Sequence, residues 1–155
     1  MWFTSAFAQL VRPYTRAQVA HFLAVLGQQR QYRVLVQLLA TTGLRISEAI
    51  ALRWRDIELD GSTPHVSVRR AWVREQLGPP KSMHGRRNVP IGRRLVDELR
   101  DHRAHSDPRH ELVFTSQLGT VLRPENLRRA LMPFAEEADV AWLEFHAFGT
   151  GSRRR

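Results

Sequence analysis

Residues 41–48 read TTGLRISE, and the triplet LRW follows at 52–54. A short polar turn separates two apolar stretches: YRVLVQLLA at 32–40 before it, and Ile46, Ala49, Ile50 and Leu52 after it. Gly43 suits a positive φ, which would end the first helix there. Thr42 or Ser47 is placed to cap the second. Arg45 then falls at the start of a helix, where the macrodipole is already positive. A permanent cation gains nothing from that location unless an anion comes to it, and backbone amides at a helix start would hold the same anion.

Outward from this turn, the spacing predicts helices on both sides and a small sheet between them. Thr15 precedes RAQVAHFLAVL, in which Val19, Phe22, Leu23 and Leu26 share one face, and Gly27 ends the run. Beyond LRW the period changes. Asp60-Gly61 signals a turn, HVSVRRAWVRE alternates, GPPKSMHG reads as a loop and RRNVPI as a returning strand. That is a β-hairpin, or the end of a three-stranded meander, with Lys81 in its loop. RRLVDELRDH is helical with Leu95, Val96 and Leu99 on its apolar edge, LVF at 112–114 is a short strand, and Pro124 opens a helix interrupted or kinked at Pro133. The fold class is mainly α with a small antiparallel β-sheet (α+β).

Composition narrows the function. The chain has 155 residues and a formal net charge of +9, which favours a polyanionic partner. No run of about 18 apolar residues suggests a membrane span, and no basic amphipathic helix with an exposed aromatic face stands out, so nucleic acid is the expected polyanion. Cysteine is absent, which removes disulfides and thiolate metal sites. The histidines of HRAHSDPRH at 102–110 read as solvated loop residues, and no metal is expected. The 24 basic residues include a single lysine, Lys81. In a chain so biased toward arginine, a surviving lysine marks a place where arginine does not serve.

Three segments in order carry a family resemblance: TTGLRISEAIALRWRDI at 41–57, PKSMHGRRNVPIG at 80–92 and LEFHAF at 143–148. Together they resemble the catalytic domain of the tyrosine recombinases, the phage-integrase family, across roughly residues 12–148. The resemblance implies cleavage and rejoining of DNA strands through a phosphotyrosyl intermediate, as in integration and recombination by mobile elements. It implies catalytic roles for Arg45, Lys81 and His146, DNA contacts from Arg45, Lys81, Arg86 and Arg87, and an orienting role for Glu48. The chemistry suits these residue types. Guanidinium offers a planar, always charged fork to the non-bridging oxygens of a phosphorane-like transition state. An ammonium can lose its proton near neutrality in a cationic pocket, as the family's general acid must when it protonates the leaving 5′ oxygen, whereas guanidinium effectively cannot. The resemblance implies double-stranded DNA and other recombinase protomers as partners, no cofactor, no small-molecule substrate, no membrane, and a cytoplasmic location at the nucleoid.

The sequence departs from the family's pattern near residue 149. The family reads His-x-x-Arg-His-Thr where this chain has His-Ala-Phe-Gly-Thr-Gly from 146 to 151, and its tyrosines, Tyr14 and Tyr32, both precede Arg45. The expected organisation is an N-terminal stub at 1–11, a partial catalytic domain at 12–148, incomplete at its C-terminus, and an out-of-frame basic tail at 149–155. The expected behaviour is that of a recombinase fragment, catalytically inactive, with residual DNA binding. Two alternatives are activity with a tyrosine donated by another chain, and an unrelated helix-turn-helix module reading bases through residues 45–54. Arg-His codons CGG-CAC read one base late give Gly-Thr, so a base lost near codon 148 accounts for the departure. The gene should then encode Arg-His and a later tyrosine in the shifted frame. A stop without that continuation would refute the frameshift.

Overall fold

The computed structural model describes residues 15–78 and 85–140. The expected stub, the tail, Lys81 and His146 lie outside those residues. The chain divides into two compact units, residues 1–46 with 123–155, and residues 47–122.

In the first unit, α1 (Arg16–Leu26) begins at a reciprocal cap: Thr15 Oγ1 accepts from the Gln18 amide, and the Gln18 side chain accepts from the Thr15 amide. Gly27 ends it at φ 52°. The helix α2 (Arg30–Thr42) buries every residue from Val34 to Leu39, the polar Gln37 among them, as a run apolar on most sides requires. Gly43 closes it in the left-handed conformation at φ 76°, and its amide bonds back to the Leu39 carbonyl. Thr42 ties the turn from both sides, donating to the Leu38 carbonyl and accepting from the Leu44 amide.

The helix after the turn is much shorter than expected. α3 (Ile46–Ala49) has four residues, with Ser47 inside it rather than capping it. Three-residue turns follow, from the Ala51 amide to Glu48 and from the Leu52 amide to Ala49. The chain must straighten here because residues 52–54 pair with 111–113: the Val113 amide donates to the Leu52 carbonyl, and the Trp54 amide to the Glu111 carbonyl. Pairing therefore overrides helical periodicity. A four-residue helix cannot serve as a recognition helix in a DNA groove, which removes the helix-turn-helix alternative.

In the second unit, the 3₁₀ turn Trp54–Asp56 leads into β1 (Ile57–Glu58) and then β2 (His65–Val68). β3 (Ala71–Val73) and β4 (Gln76–Gly78) form a separate hairpin, and β5 (Arg87–Pro90) returns to β2. The sheet order is β1-β2-β5, antiparallel throughout, with Val66 opposite Val89 and Ser67 opposite Asn88. Ser67 and Asn88 join across that pair by a side-chain hydrogen bond of 2.9 Å. HVSVRRAWVRE is thus two strands broken at Arg69-Arg70, not one. The β3–β4 turn carries no glycine signal: Arg74 and Glu75 both take positive φ, 52° and 63°.

The helix α4 (Arg93–Ala104) buries Leu95, Val96, Leu99 and His102. LVF forms no strand; its neighbourhood makes only isolated bridges, Arg53 to Leu112 and Thr115 to Val121. His102 corrects the solvated-histidine reading. It is buried between Trp54 and Phe114, ring centroids 5.6 and 5.7 Å away, with Nε2 2.7 Å from the Val113 carbonyl. In the first unit, α5 (Pro124–Glu137) runs unbroken through Pro133. Replacing Arg74-Glu75 by Asn-Gly, which adopts such a turn without strain, should raise stability by about 1 kcal/mol. Urea unfolding checks it; an unchanged midpoint refutes the strain argument.

Candidate nucleic-acid interface

Arg45 stands where the turn sequence puts it, half-buried, after the left-handed Gly43 and one residue before α3. The two residues that flank it, Leu44 and Ile46, are fully buried. They hold the backbone on both sides, so packing sets the position of the Arg45 Cα.

Glu48 and Arg87, expected as an orienting residue and a DNA contact, are brought together. Glu48 is only 5% exposed. Its carboxylate accepts two hydrogen bonds from the Arg87 fork, Nη1 to Oε2 at 3.2 Å and Nη2 to Oε1 at 3.1 Å. Arg87 Nη1 also donates to the Gly85 carbonyl at 2.8 Å. A buried carboxylate needs such a partner, because an isolated charge away from water would be strongly destabilising. The pair pins the start of β5 to α3, at the end of the segment that contains Lys81.

Arg86 points to a feature that sequence reading missed. It lines an open hollow of about 570 Å³ together with Arg53, Arg55, Asp56, Arg69, Arg70, Leu77 and Gly78. Asp56 organises this cluster. It is buried, and its Oδ2 accepts from Arg70 Nη1 at 2.6 Å and from the Arg53 amide at 3.0 Å. Arg55, Arg69 and Arg86 are exposed. The usable signals were Arg53 and Arg55 flanking Trp54, and the doubled arginine at 69–70. Neither signal indicates convergence without the break between β2 and β3. Beyond this hollow, Arg103 stacks over Trp54 with its guanidinium carbon 5.4 Å from the ring centre. Among the described residues, no group of three or more His, Asp or Glu side chains is arranged to hold a metal ion, and no helix is long and apolar enough to cross a membrane.

This architecture has relatives. A sequence model of the Phage integrase family matches residues 14–150, and the chain belongs to that family. It is 26% identical over 130 residues to a "Tyrosine recombinase XerC-like" protein of Caldanaerobacter subterraneus subsp. tengcongensis, covering 68% of this chain and 33% of the relative. It is 39% identical over 77 residues to the integrase of Mycobacterium phage D29, covering 47% of this chain and 21% of that one. The chain therefore spans a third or less of the length of these relatives. Among solved structures it resembles XerA recombinase, with a TM-score of 0.63 and 17% identity over 88% of this chain and 47% of the other. It also resembles the Tn1549 transposon integrase in complex with transposon right end DNA, with a TM-score of 0.66 and 20% identity over 81% of this chain and 44% of the other. At these identities the structural likeness establishes the fold: a mainly helical chain with small antiparallel sheets, of the tyrosine-recombinase catalytic type.

Glu48→Gln should remove the charge from the pair with Arg87 while keeping its shape. The expected loss is about 1–2 kcal/mol, limited because Arg87 remains partly in water. A double-mutant cycle with Arg87→Met reads the coupling directly. Additive effects would show that the pair contributes no interaction.

Proposed function

We propose that these 155 residues are the phosphate-binding part of a site-specific recombinase catalytic domain, spanning residues 12–148 and acting on double-stranded DNA. The observation that carries this is Arg45: a packed cation at a helix start, in a chain whose residues 14–150 match the phage integrase family. In this reading Arg45 grips the non-bridging oxygens of the scissile phosphate. Lys81 donates a proton to the leaving 5′ oxygen, and His146 takes the family's base or phosphate-binding role. Arg86 and Arg87 contact DNA, Arg87 while fastened to Glu48. The structures of the Tn1549 integrase in complex with transposon right end DNA and of XerH bound to palindromic difH substrate support duplex DNA as the partner. The setting is cytoplasmic, at the nucleoid, and other recombinase protomers are the natural protein partners.

Strand cleavage in this family needs a tyrosine nucleophile, and these residues hold only Tyr14 and Tyr32, both before Arg45. The 155-residue chain is therefore inactive alone but binds duplex DNA. A nicked suicide duplex, which traps covalent protein–DNA adducts, tests this. The expected result is a salt-sensitive non-covalent complex, weakened about tenfold by Arg45→Gln, and no adduct. A covalent adduct would overturn the inactivity, and no complex even at low salt would overturn the DNA reading.

A further inference from the structure

We infer that the hollow lined by Arg53, Arg55, Arg69, Arg70 and Arg86 is a docking site for the sugar-phosphate backbone of duplex DNA, made of residues other than those that grip the scissile phosphate. The inference rests on the DNA reading above and extends it to a second set of contacts.

Five guanidinium groups come to one concave surface from segments far apart in sequence: the Trp54 turn, the junction of β2 and β3, and the entry to β5. The β4 residues Leu77 and Gly78 form the remaining wall. Folding gains nothing from gathering like charges, so the gathering requires a reason outside the fold. The one carboxylate among the described lining residues, Asp56, is already committed to Arg70 and to the Arg53 amide. Arg53 reaches Glu111 at 3.5 Å, a loose contact to a side chain 71% exposed.

Some other arginines of the same unit find carboxylates. Arg94 is near Glu98, Arg100 meets Asp60 at 2.9 Å, and Arg109 meets Asp107 at 2.6 Å. The Arg109 fork holds the Asp107 carboxyl well below the usual carboxylate range. Arg55, Arg69 and Arg86 make no ion pair with any described residue, so three planar forks stay open on one surface. Such forks match pairs of phosphate oxygens. Asp56 contributes by holding Arg70 in place rather than by neutralising the set.

The lining also says which nucleic acid fits. No aromatic side chain is among the described lining residues, so there is no platform on which unpaired bases would stack. No asparagine or glutamine is there to read adenine edges. What remains is arginine, whose fork takes a pair of phosphate oxygens on a duplex of any sequence or a guanine edge in the major groove. Equal binding to duplexes rich in and lacking G·C pairs marks the backbone mode.

The test measures affinity of the full chain for a duplex of arbitrary sequence as salt is varied. The triple variant R55Q/R69Q/R86Q should bind more weakly on every duplex. Its log–log salt slope should be shallower by about 2–3, close to one unit for each lost phosphate contact. The corresponding triple lysine variant should keep most of the slope, and a single strand of equal length should bind more weakly than the duplex. Cooperative melting checks the fold; if the triple variant fails it, each single glutamine variant should lower the slope by about one. Unchanged slopes in folded variants would overturn the docking site while leaving the DNA reading intact. A wild-type chain that binds no duplex would overturn that reading and the site with it. Arginine-dependent preference for a single strand or an acidic peptide would overturn the duplex assignment.

Discussion

A carboxylate buried in the short helix α3 constrains how the second unit folds. Glu48 sits in a run from Ile46 to Leu52 that is wholly buried. Neighbouring apolar residues leave it no route to solvent, so a cation must come to it. Arg87 does so from 39 residues away, with two parallel hydrogen bonds. Because β5 pairs with β2, and β2 with β1, placing Arg87 also places the edge of the sheet. Buried ion pairs are weak evidence for stability but good devices for register, since alternative pairings would strand a charge. Here the register decides where the lysine-bearing segment before β5 must end.

Much of this was legible before any coordinates, and the limits are instructive. The Thr15 cap, the Gly27 and Gly43 stops and the buried core of α2 follow from local chemistry, and the structure shows each of them. Local chemistry failed where a segment distant in sequence intervened. Apolar spacing after Arg45 suggested a longer helix, yet pairing of Leu52 and Trp54 with residues 111–113 ends it after four residues. The β3–β4 hairpin was invisible because its turn uses Arg74 and Glu75, residues that seldom adopt positive φ. His102 looked solvated because its neighbours in sequence are polar. Helical periodicity turns it inward from the last turn of α4, against Trp54 and Phe114.

The candidate site divides in the same way. Arg45, Glu48 and the arginines at the entry to β5, Arg86 and Arg87, were marked by motif, and the motif carried a family resemblance that the match to residues 14–150 supports. Of the cluster around Asp56, Arg86 alone had such a mark. The cluster's members come from short, separate segments, and only the break between β2 and β3 sets Arg69 and Arg70 beside the Trp54 turn. A motif reports residues that chemistry requires in sequence order. A charged surface is assembled from positions that any one stretch leaves ambiguous.

That difference bears on why the chain tolerates so much unpaired charge. Two unit charges about 8 Å apart repel by only ~0.5 kcal/mol in bulk water, and salt screens them further. Three open arginines in a solvated hollow therefore destabilise the fold modestly, within what the buried residues of α4 and the three-stranded sheet can offset. The same arginines lying against duplex DNA meet one phosphate charge for every ~1.7 Å of helix axis and release its condensed counterions. The arrangement is thus nearly neutral for folding and strongly favourable for binding. Moving one of these arginines into the core would reverse the balance. Arg87 stands between these cases: its fork is paired with the buried Glu48, while part of the side chain stays in water, where the proposed DNA contact would be made.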